Sequence, residues 1–198
     1  MTPPGFALHP GALDRAAQES LLVEVLARVQ RAPFTRPVTP SGQAMSVQMT
    51  SFGPLGWVSD RSGYRYERAH PVTGEPWPDM PAALLTLWAR FANFERPPDS
   101  CLVNLYGEGA RMGLHQDRDE VDPTAPVLSV SLGDTAVFRL GGTARRDPTR
   151  SLRLASGDVC MLAGAARLAF HGVDRVIPGS STLVPGGGRV NLTLRRAG

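Results

Sequence analysis

The stretch RVNLTLR, residues 189–195, alternates between polar and apolar side chains along its whole length. Because successive side chains of a β-strand point to opposite faces, its three apolar residues share a face that packs on a core. The polar residues share the other face, and they are Arg189, Asn191, Thr193 and Arg195. Two arginines on an inward polar face favour a doubly negative ligand. The stretch therefore predicts a strand between an apolar core and an anion site.

Similar short segments fill the chain after Asp99, and turn residues rather than helices separate them. They read CLVNLY, PVLSVSLG, AVFRL, SLRL, DVCMLA and LAFHGV. With residues 189–195 they make seven strands, which predict a sandwich or barrel. In CLVNLY, Asn104 and Tyr106 share one face opposite three apolar side chains. This strand and the last one together can hold a dicarboxylate.

The first half of the chain has a different pattern. Apolar residues at helical spacing predict amphipathic helices over Leu13–Val29 and Pro81–Phe94. Between them, residues 33–80 combine prolines and glycines with several aromatic and methionine side chains. Short strands and loops that display such side chains are typical of a lid or binding loop. We therefore expect one domain over residues 1–198, with a helical extension (1–32), a lid (33–80) and a β core (99–198).

Composition limits the class of protein without deciding it. The 198 residues are 42% apolar and carry a net charge of +3, which suits one globular domain and leaves nucleic acid open as a partner. Cys101 and Cys160 lie far apart in apolar segments, which predicts buried free thiols in a reducing compartment. Without a signal peptide or a long apolar run, we expect a cytoplasmic protein that does not contact a membrane.

The stretch GLHQDRDE, residues 113–120, concentrates acidic groups beside a histidine, which favours a bound cation. If it is a strand, His115 and Asp117 project from the same face. His171, at the end of RLAFHGV, supplies a second imidazole beside a glycine. Two histidines and a carboxylate form the facial triad of non-haem Fe(II) oxygenases, with zinc as the chemical competitor. His9 and His70 stand beside prolines, and we expect both on the surface.

Taken in order, these motifs resemble the AlkB-type Fe(II)/2-oxoglutarate dioxygenases, which repair alkylated nucleic acid bases. The resemblance rests on NLY at 104–106, HQDRDE at 115–120, HGV at 171–173 and RVNLTLR at 189–195, and it extends over about residues 32–196. It implies an α+β, mainly β fold: a double-stranded β-helix (jelly-roll) core with flanking N-terminal helices and an aromatic nucleotide-recognition lid.

The resemblance also implies roles for individual residues. Iron would be held by His115, Asp117 and His171, and the cosubstrates would be 2-oxoglutarate and O2. The residues implied to bind 2-oxoglutarate are Asn104, Tyr106, Arg189, Asn191 and Arg195. Arg189 would anchor the distal carboxylate, while Arg195 would lie near the metal and steady Asp117.

The implied substrate is an N-methylated base such as 1-methyladenine or 3-methylcytosine. It would lie in single-stranded DNA or be flipped out of a duplex, with RNA left open, and a monomeric enzyme would release formaldehyde. Trp57 would stack on the base, Asp119 would face its exocyclic amine and Tyr64 would lie near the backbone. Arg118 and Arg145 match positions that meet phosphates.

Departures from the family pattern and two other functions remain open at this point. Gln43 and Leu162 replace a tyrosine and a tryptophan of the family. The first alternative function is an Fe(II)/2-oxoglutarate hydroxylase acting on a small molecule or a protein side chain. The second is a non-catalytic module that binds methylated bases. Glu120 and Asp122 have no assigned role, and we expect them to be solvated or paired with arginines.

Overall fold

Two α-helices and twelve β-strands make up the regular structure of residues 3–198, the part of the chain that the computed structural model describes. In chain order they are β1 (Phe6–His9), α1 (Arg15–Val29), β2 (Gln48–Phe52), β3 (Gly56–Asp60), β4 (Gly63–Glu67), α2 (Ala82–Phe91), β5 (Ser100–Tyr106), β6 (Met112–His115), β7 (Val127–Gly133), β8 (Ala136–Leu140), β9 (Arg150–Leu154), β10 (Val159–Leu162), β11 (His171–Val176) and β12 (Arg189–Arg195). A short 3₁₀ turn spans Gly164–Ala166.

The strands form two main antiparallel sheets. One has the order β1-β10-β7-β12-β5-β2 and the other the order β6-β11-β8-β9. From β5 onward the chain changes sheet at almost every strand, which is the winding of a jelly roll. The mainly β fold and the jelly-roll core predicted from the sequence are thus confirmed. The strands β3 and β4 form a separate hairpin.

Strand β12 lies in the middle of the six-stranded sheet, between β5 and β7. All seven of its residues are buried. Its apolar side chains, Val190, Leu192 and Leu194, belong to a core cluster that also includes Leu84 of α2 and Leu21 of α1. Since the helices cover this face, the polar face of β12 is left for the space between the sheets.

Both predicted helices are present, with different ends. The first begins at Arg15 because the Asp14 side chain accepts a hydrogen bond from the Ala17 amide at 2.8 Å, which caps the helix. The second ends at Phe91 rather than Phe94, since Asn93 takes a left-handed backbone conformation with φ 45°.

The region between the helices is divided between two parts of the fold. Strand β2 pairs with β5 at the edge of the six-stranded sheet, whereas β3 and β4 pair with each other through five register positions. Sequence patterning alone did not separate the sheet strand from the hairpin.

The surface position predicted for His70 is wrong, and His9 is only partly exposed. His70 is 2% exposed; its Nε2 lies 2.8 Å from the Pro33 carbonyl oxygen, and its Nδ1 accepts the amide of Thr73 at 3.1 Å. His9 lies half-buried in β1 and stacks on the ring of Phe91 at 4.3 Å between centroids. Both imidazoles therefore serve packing, and a neighbouring proline did not indicate an exposed loop.

Both cysteines are free and buried, as the sequence predicted. Among residues 3–198, no helix has the length and apolar character that crossing a membrane requires.

Candidate active site

Strand pairing brings two histidines together at the edge of the cavity between the sheets. His115, the last residue of β6, lies directly opposite His171, the first residue of β11. Their ring centroids are 4.5 Å apart. The sequence placed His171 at the end of a strand; it begins one instead, since the residues before it form the 3₁₀ turn and a loop. A Cβ at the next residue, Gly172, would lie 2.6 Å from the Met112 carbonyl oxygen, so glycine permits this close pairing.

Backbone hydrogen bonds orient both imidazole rings. Nδ1 of His115 donates to the Gly113 carbonyl at 2.9 Å, and Nδ1 of His171 donates to the Ala169 carbonyl at 3.0 Å. A proton on Nδ1 leaves the lone pair on Nε2, which is the arrangement that metal-binding histidines use. Both Nε2 atoms face the same point.

Asp117 completes the triad from a loop. Strand β6 stops at His115, so the prediction that a strand aligns Asp117 with that histidine is wrong, although the three groups do converge. Oδ1 of Asp117 lies 3.6 Å from Nε2 of His115, and Oδ2 lies 3.8 Å from Nε2 of His171. One ligand atom from each of the three residues lies within 4.8 Å of the others. Two imidazoles and one carboxylate with this spacing fit a divalent transition metal ion.

The charge state of this cluster also suits a metal ion. Burial opposes the charged form of Asp117, but Arg195 and the two histidines outweigh it and hold the pKa of this carboxyl well below its usual range. Arg195 donates to Oδ2 of Asp117 through Nη2 at 3.0 Å. Burial, followed by the neighbouring His115, lowers the pKa of His171 to about 4. At neutral pH the cluster therefore offers an anionic oxygen and a neutral imidazole, the protonation states of metal ligands.

Beyond the triad, a cavity of about 60 Å³ extends between the sheets toward Arg189. Arg189 is 1% exposed, and its Nη2 donates to Oγ of Ser131 at 3.0 Å. Within residues 3–198, its Nε and Nη1 have no hydrogen-bond partner, and neither has Oδ1 of Asn104. Burial lowers the pKa of Arg189. A buried guanidinium with two unpaired nitrogens is costly unless a ligand supplies an anion, and a carboxylate matches its fork.

The remaining predicted cosubstrate residues line the same cavity. Tyr106 lies under the guanidinium of Arg189, 5.4 Å from its carbon to the ring centroid. Asn191 donates through Nδ2 to Oγ of Ser129 at 2.6 Å and to the Val130 carbonyl at 3.0 Å, so it is fixed within the wall. Arg195 lies at the metal end, and its Nη1 has no partner among the residues that the structure describes. The polar face of β12 thus spans the distance from Arg189 to the triad and fits a dicarboxylate.

A second cavity, of about 220 Å³, is lined by His115 and Asp117 of the triad and by side chains of the hairpin. The two cavities share residues, among them Met112, His115, Asp117 and Arg195. The triad therefore lies between an inner cavity with unpaired cationic groups and an outer cavity that the hairpin covers. We use the names inner cavity and outer cavity for these two spaces.

Hairpin side chains form an aromatic wall of the outer cavity. The rings of Trp57 and Tyr64 stack with centroids 5.5 Å apart and planes 16° from parallel. Trp57 donates through Nε1 to Oδ2 of Asp119 at 2.9 Å. A flat apolar surface thus stands beside an exposed carboxylate, an arrangement that suits a flat cationic ligand.

Arg118 and Arg145 take different positions. Arg118 is exposed and lines the outer cavity. Arg145 lines neither cavity; its Nη1 donates to the Leu114 carbonyl at 3.3 Å, and its guanidinium lies over the Phe170 ring.

Sequence reasoning missed a buried network beside the metal ligands. Glu120 accepts hydrogen bonds from Tyr66 and Arg167, and Arg167 also donates to the backbone carbonyl of Asp117 at 2.6 Å. The expectation that Glu120 and Asp122 pair with arginines is confirmed, since Asp122 pairs with Arg96. The acidic run around Glu120 was visible in the sequence, but no local pattern indicated Arg167 as its partner.

Comparisons with known proteins agree with this geometry. The family model of the 2OG-Fe(II) oxygenase superfamily matches residues 5–195. A Caulobacter vibrioides (strain NA1000 / CB15N) protein named alpha-ketoglutarate-dependent dioxygenase AlkB homolog is 69% identical over 194 residues, which are 98% of this chain and 88% of that protein. The alpha-ketoglutarate-dependent dioxygenase AlkB of Escherichia coli (strain K12) is 43% identical over 186 residues, covering 92% of this chain and 86% of that protein.

A solved structure, that of OsALKBH1, has the same fold. It superposes with a TM-score of 0.76 at 32% sequence identity, covering 97% of this chain and 98% of that chain.

Proposed function

This chain belongs to the AlkB family of the 2OG-Fe(II) oxygenase superfamily, and from that premise we propose which of its residues carry the family's reaction and on which bases it acts. It is an Fe(II)/2-oxoglutarate-dependent dioxygenase that demethylates alkylated nucleic acids. Fe(II), 2-oxoglutarate and O2 are its requirements. The single observation that carries the residue-level proposal is the position of the triad between the inner and outer cavities.

His115, Asp117 and His171 would hold Fe(II). When bound there, the metal supplies the activation of O2, which couples decarboxylation of 2-oxoglutarate to succinate and CO2 with oxidation of an N-linked methyl group that leaves as formaldehyde. The chain's own residues maintain the charge and the orientation that these ligands need to bind a metal ion. Arg195 keeps Asp117 ionised, and the hydrogen bonds donated by Nδ1 of each histidine turn both Nε2 atoms toward the metal position.

The inner cavity would take 2-oxoglutarate. Its distal carboxylate would pair with Nε and Nη1 of Arg189, which have no partner in the described part of the chain. This pairing would direct the other end of the cosubstrate toward the triad. Asn104 and Tyr106 would hydrogen-bond the bound anion, and Asn191 would support the cavity wall. Arg195, at the metal end, would contact the nearer carboxylate.

The outer cavity would take the alkylated base. Methylation at N1 of adenine or N3 of cytosine makes the base cationic, and the indole of Trp57 together with the Asp119 carboxylate attracts such a ring. Tyr64 would contact the neighbouring backbone, and Arg118 and Arg145 would meet phosphates. Residues 33–80, and the hairpin β3–β4 above all, would act as the lid over this base.

The outer cavity is lined by the hairpin and by His115 and Asp117, which supports a base outside the stack rather than one inside a duplex. We propose DNA that is single-stranded or has the damaged base flipped out as the preferred substrate, with RNA as a second substrate. We also propose that the protein acts as a monomer in the cytoplasm, where its free thiols at Cys101 and Cys160 stay reduced.

A mass-spectrometric screen of methylated DNA and RNA oligonucleotides with Fe(II), 2-oxoglutarate and ascorbate tests this proposal. We expect demethylated oligonucleotide and formaldehyde in equal amounts, and Asp117→Ala should abolish both. Turnover of 2-oxoglutarate with free amino acids but not with oligonucleotides would favour a hydroxylase of the same fold instead. Tight binding of methylated oligonucleotide without any consumption of 2-oxoglutarate would indicate a non-catalytic binding module.

A further inference from the structure

Tyr66 connects the hairpin to the loop that carries the aspartate of the triad. In the hairpin register Tyr66 lies directly opposite Trp57, the residue proposed to stack on the base. Its hydroxyl donates to Oε1 of Glu120 at 2.6 Å. A hydrogen bond to an ionised, buried carboxylate is among the stronger ones in proteins, so it ties the position of the strand to Glu120.

Glu120 is the centre of a buried charge network. Its side chain is 3% exposed. Oε1 also lies 3.3 Å from Nε of Arg195, and Oε2 accepts from Nη2 of Arg167 at 3.0 Å. Two guanidinium groups and one phenol thus converge on one carboxylate, which has little freedom to move by itself.

Both arginines also donate hydrogen bonds to Asp117. Arg195 donates through Nη2 to its Oδ2 at 3.0 Å, while Arg167 donates through Nη1 to its backbone carbonyl at 2.6 Å. Arg167 also holds the Ala125 carbonyl at 2.6 Å, which fixes the far end of the same loop. A path of hydrogen bonds therefore runs from Tyr66 through Glu120 and Arg167 to the backbone of Asp117. A second path reaches the Asp117 side chain through the ion pair between Glu120 and Arg195.

The geometry points to Tyr66 as a positioning residue that couples occupancy of the outer cavity to the geometry of the metal ligands through Glu120. This inference rests on the proposed function, because it requires the outer cavity to bind the base. A base against Trp57 fixes the hairpin, the hairpin fixes Tyr66, and the network then restricts Asp117. Such coupling is reciprocal, so a metal ion bound by the triad must tighten base binding by the same factor.

The test measures this coupling without turnover. Fluorescence anisotropy gives the Kd of the metal-free protein for a single-stranded oligonucleotide with one 1-methyladenine, with and without Mn²⁺ as the probe ion. For the wild-type protein we expect Mn²⁺ to lower Kd by roughly 5-fold or more, the lower end of typical coupling factors. Tyr66→Phe removes only the hydroxyl, and its Mn²⁺ effect should fall below about twofold, since the path is cut.

A matched control lies on the same strand. Arg65 pairs with Asp60 and Glu67 on the exposed side of the hairpin, so Arg65→Gln breaks surface ion pairs without touching the network. It should keep the wild-type response to Mn²⁺. Asp117→Ala should lose the response altogether, and this loss would assign the Mn²⁺ effect to metal bound at the triad. A Tyr66→Phe protein with the wild-type response would overturn the inference.

Two further measurements keep the test decisive if Tyr66→Phe folds poorly. Glu120→Gln removes the charge at the centre of the network and should likewise weaken the Mn²⁺ effect. In the wild-type protein, hydrogen–deuterium exchange of residues 116–122 should slow when the methylated oligonucleotide binds; unchanged exchange there contradicts the coupling. A wild-type protein that binds methylated and unmethylated oligonucleotides equally would overturn the proposed function itself, whereas preference for the methylated one without any Mn²⁺ effect overturns only the role of Tyr66.

Discussion

His115 and His171 are register partners at the adjoining ends of β6 and β11, with ring centroids 4.5 Å apart. This pairing fixes the distance between two metal ligands that lie 56 residues apart in the sequence. Pairing between two adjacent strands therefore fixes the positions of two of the three metal ligands, and only Asp117 lies on a loop.

The close approach of β6 and β11 depends on Gly172. In Gly172→Ala the added Cβ would lie 2.6 Å and 2.8 Å from the carbonyl oxygens of Met112 and Gly113, so the strands must separate. We expect at least a tenfold loss in metal affinity, the scale seen when groups that orient metal ligands are removed, measured by titration calorimetry with Mn²⁺. Gly113→Ala is the control, because its Cβ would meet no atom within 4 Å. Equal metal affinity in both variants would contradict this account.

The same substitution at two buried arginines of β12 should change the free energy of unfolding in opposite directions. Arg189→Met removes a buried charge with two unpaired nitrogens, and we expect the free energy of unfolding to rise by about 1–3 kcal/mol in the absence of 2-oxoglutarate. Arg195→Met removes the guanidinium that pairs with the buried carboxylate of Asp117, and it should cost about 3–5 kcal/mol. Urea unfolding measures both. The Arg189 variant should also lose 2-oxoglutarate binding; destabilisation by both substitutions would argue against an anion site at Arg189.

The charge of Asp119 should decide the preference for cationic bases. Asp119→Asn keeps an oxygen that can accept the Trp57 hydrogen bond but removes the negative charge. We expect kcat/KM for an oligonucleotide with 1-methyladenine to fall about tenfold relative to one with a neutral methylated base, which corresponds to about 1.4 kcal/mol. Decarboxylation of 2-oxoglutarate without oligonucleotide should persist. Its complete loss would mean that Asp119 acts at the metal rather than on the base.

The low pKa of His171 predicts how the stability of the metal-free protein depends on pH. The native pKa is about 4, whereas an unfolded histidine titrates near 6.5. As the pH falls from 7 to 5 the unfolded chain takes up a proton that native His171 does not, so stability is lost over this window by about 2 kcal/mol. Urea unfolding at both pH values in EDTA measures it, and His171→Asn should flatten the dependence. An equally steep dependence in that variant would place its origin elsewhere.

Much of the site followed from the sequence because it depends on alternation within single strands. The polar face of β12 carries Arg189 and Arg195 six residues apart, and apolar side chains lie on the opposite face. This pattern could be read directly from residues 189–195. The structure also brings together the three side chains that were predicted as metal ligands. The reason given for Asp117 was wrong, since a strand end is set by tertiary pairing rather than by local pattern.

What could not be predicted depends on contacts between distant segments. Arg167 and Glu120 lie 47 residues apart, and nothing near either residue indicates their ion pair. His70 has the local sequence of a surface loop, yet it is buried against Trp77 and bonded to the backbone. Tyr66 was visible as one of several aromatic residues, but the face it presents depends on the hairpin register.

The central claim is that His115, Asp117 and His171 hold one ferrous ion between the two cavities. Anomalous diffraction at the iron edge, from crystals grown with Fe(II) and 2-oxoglutarate without oxygen, tests it most directly. We predict one iron peak within coordination distance of Nε2 of both histidines and of a carboxylate oxygen of Asp117. An iron peak that contacts only two of these residues, or that lies elsewhere in the protein, would contradict it.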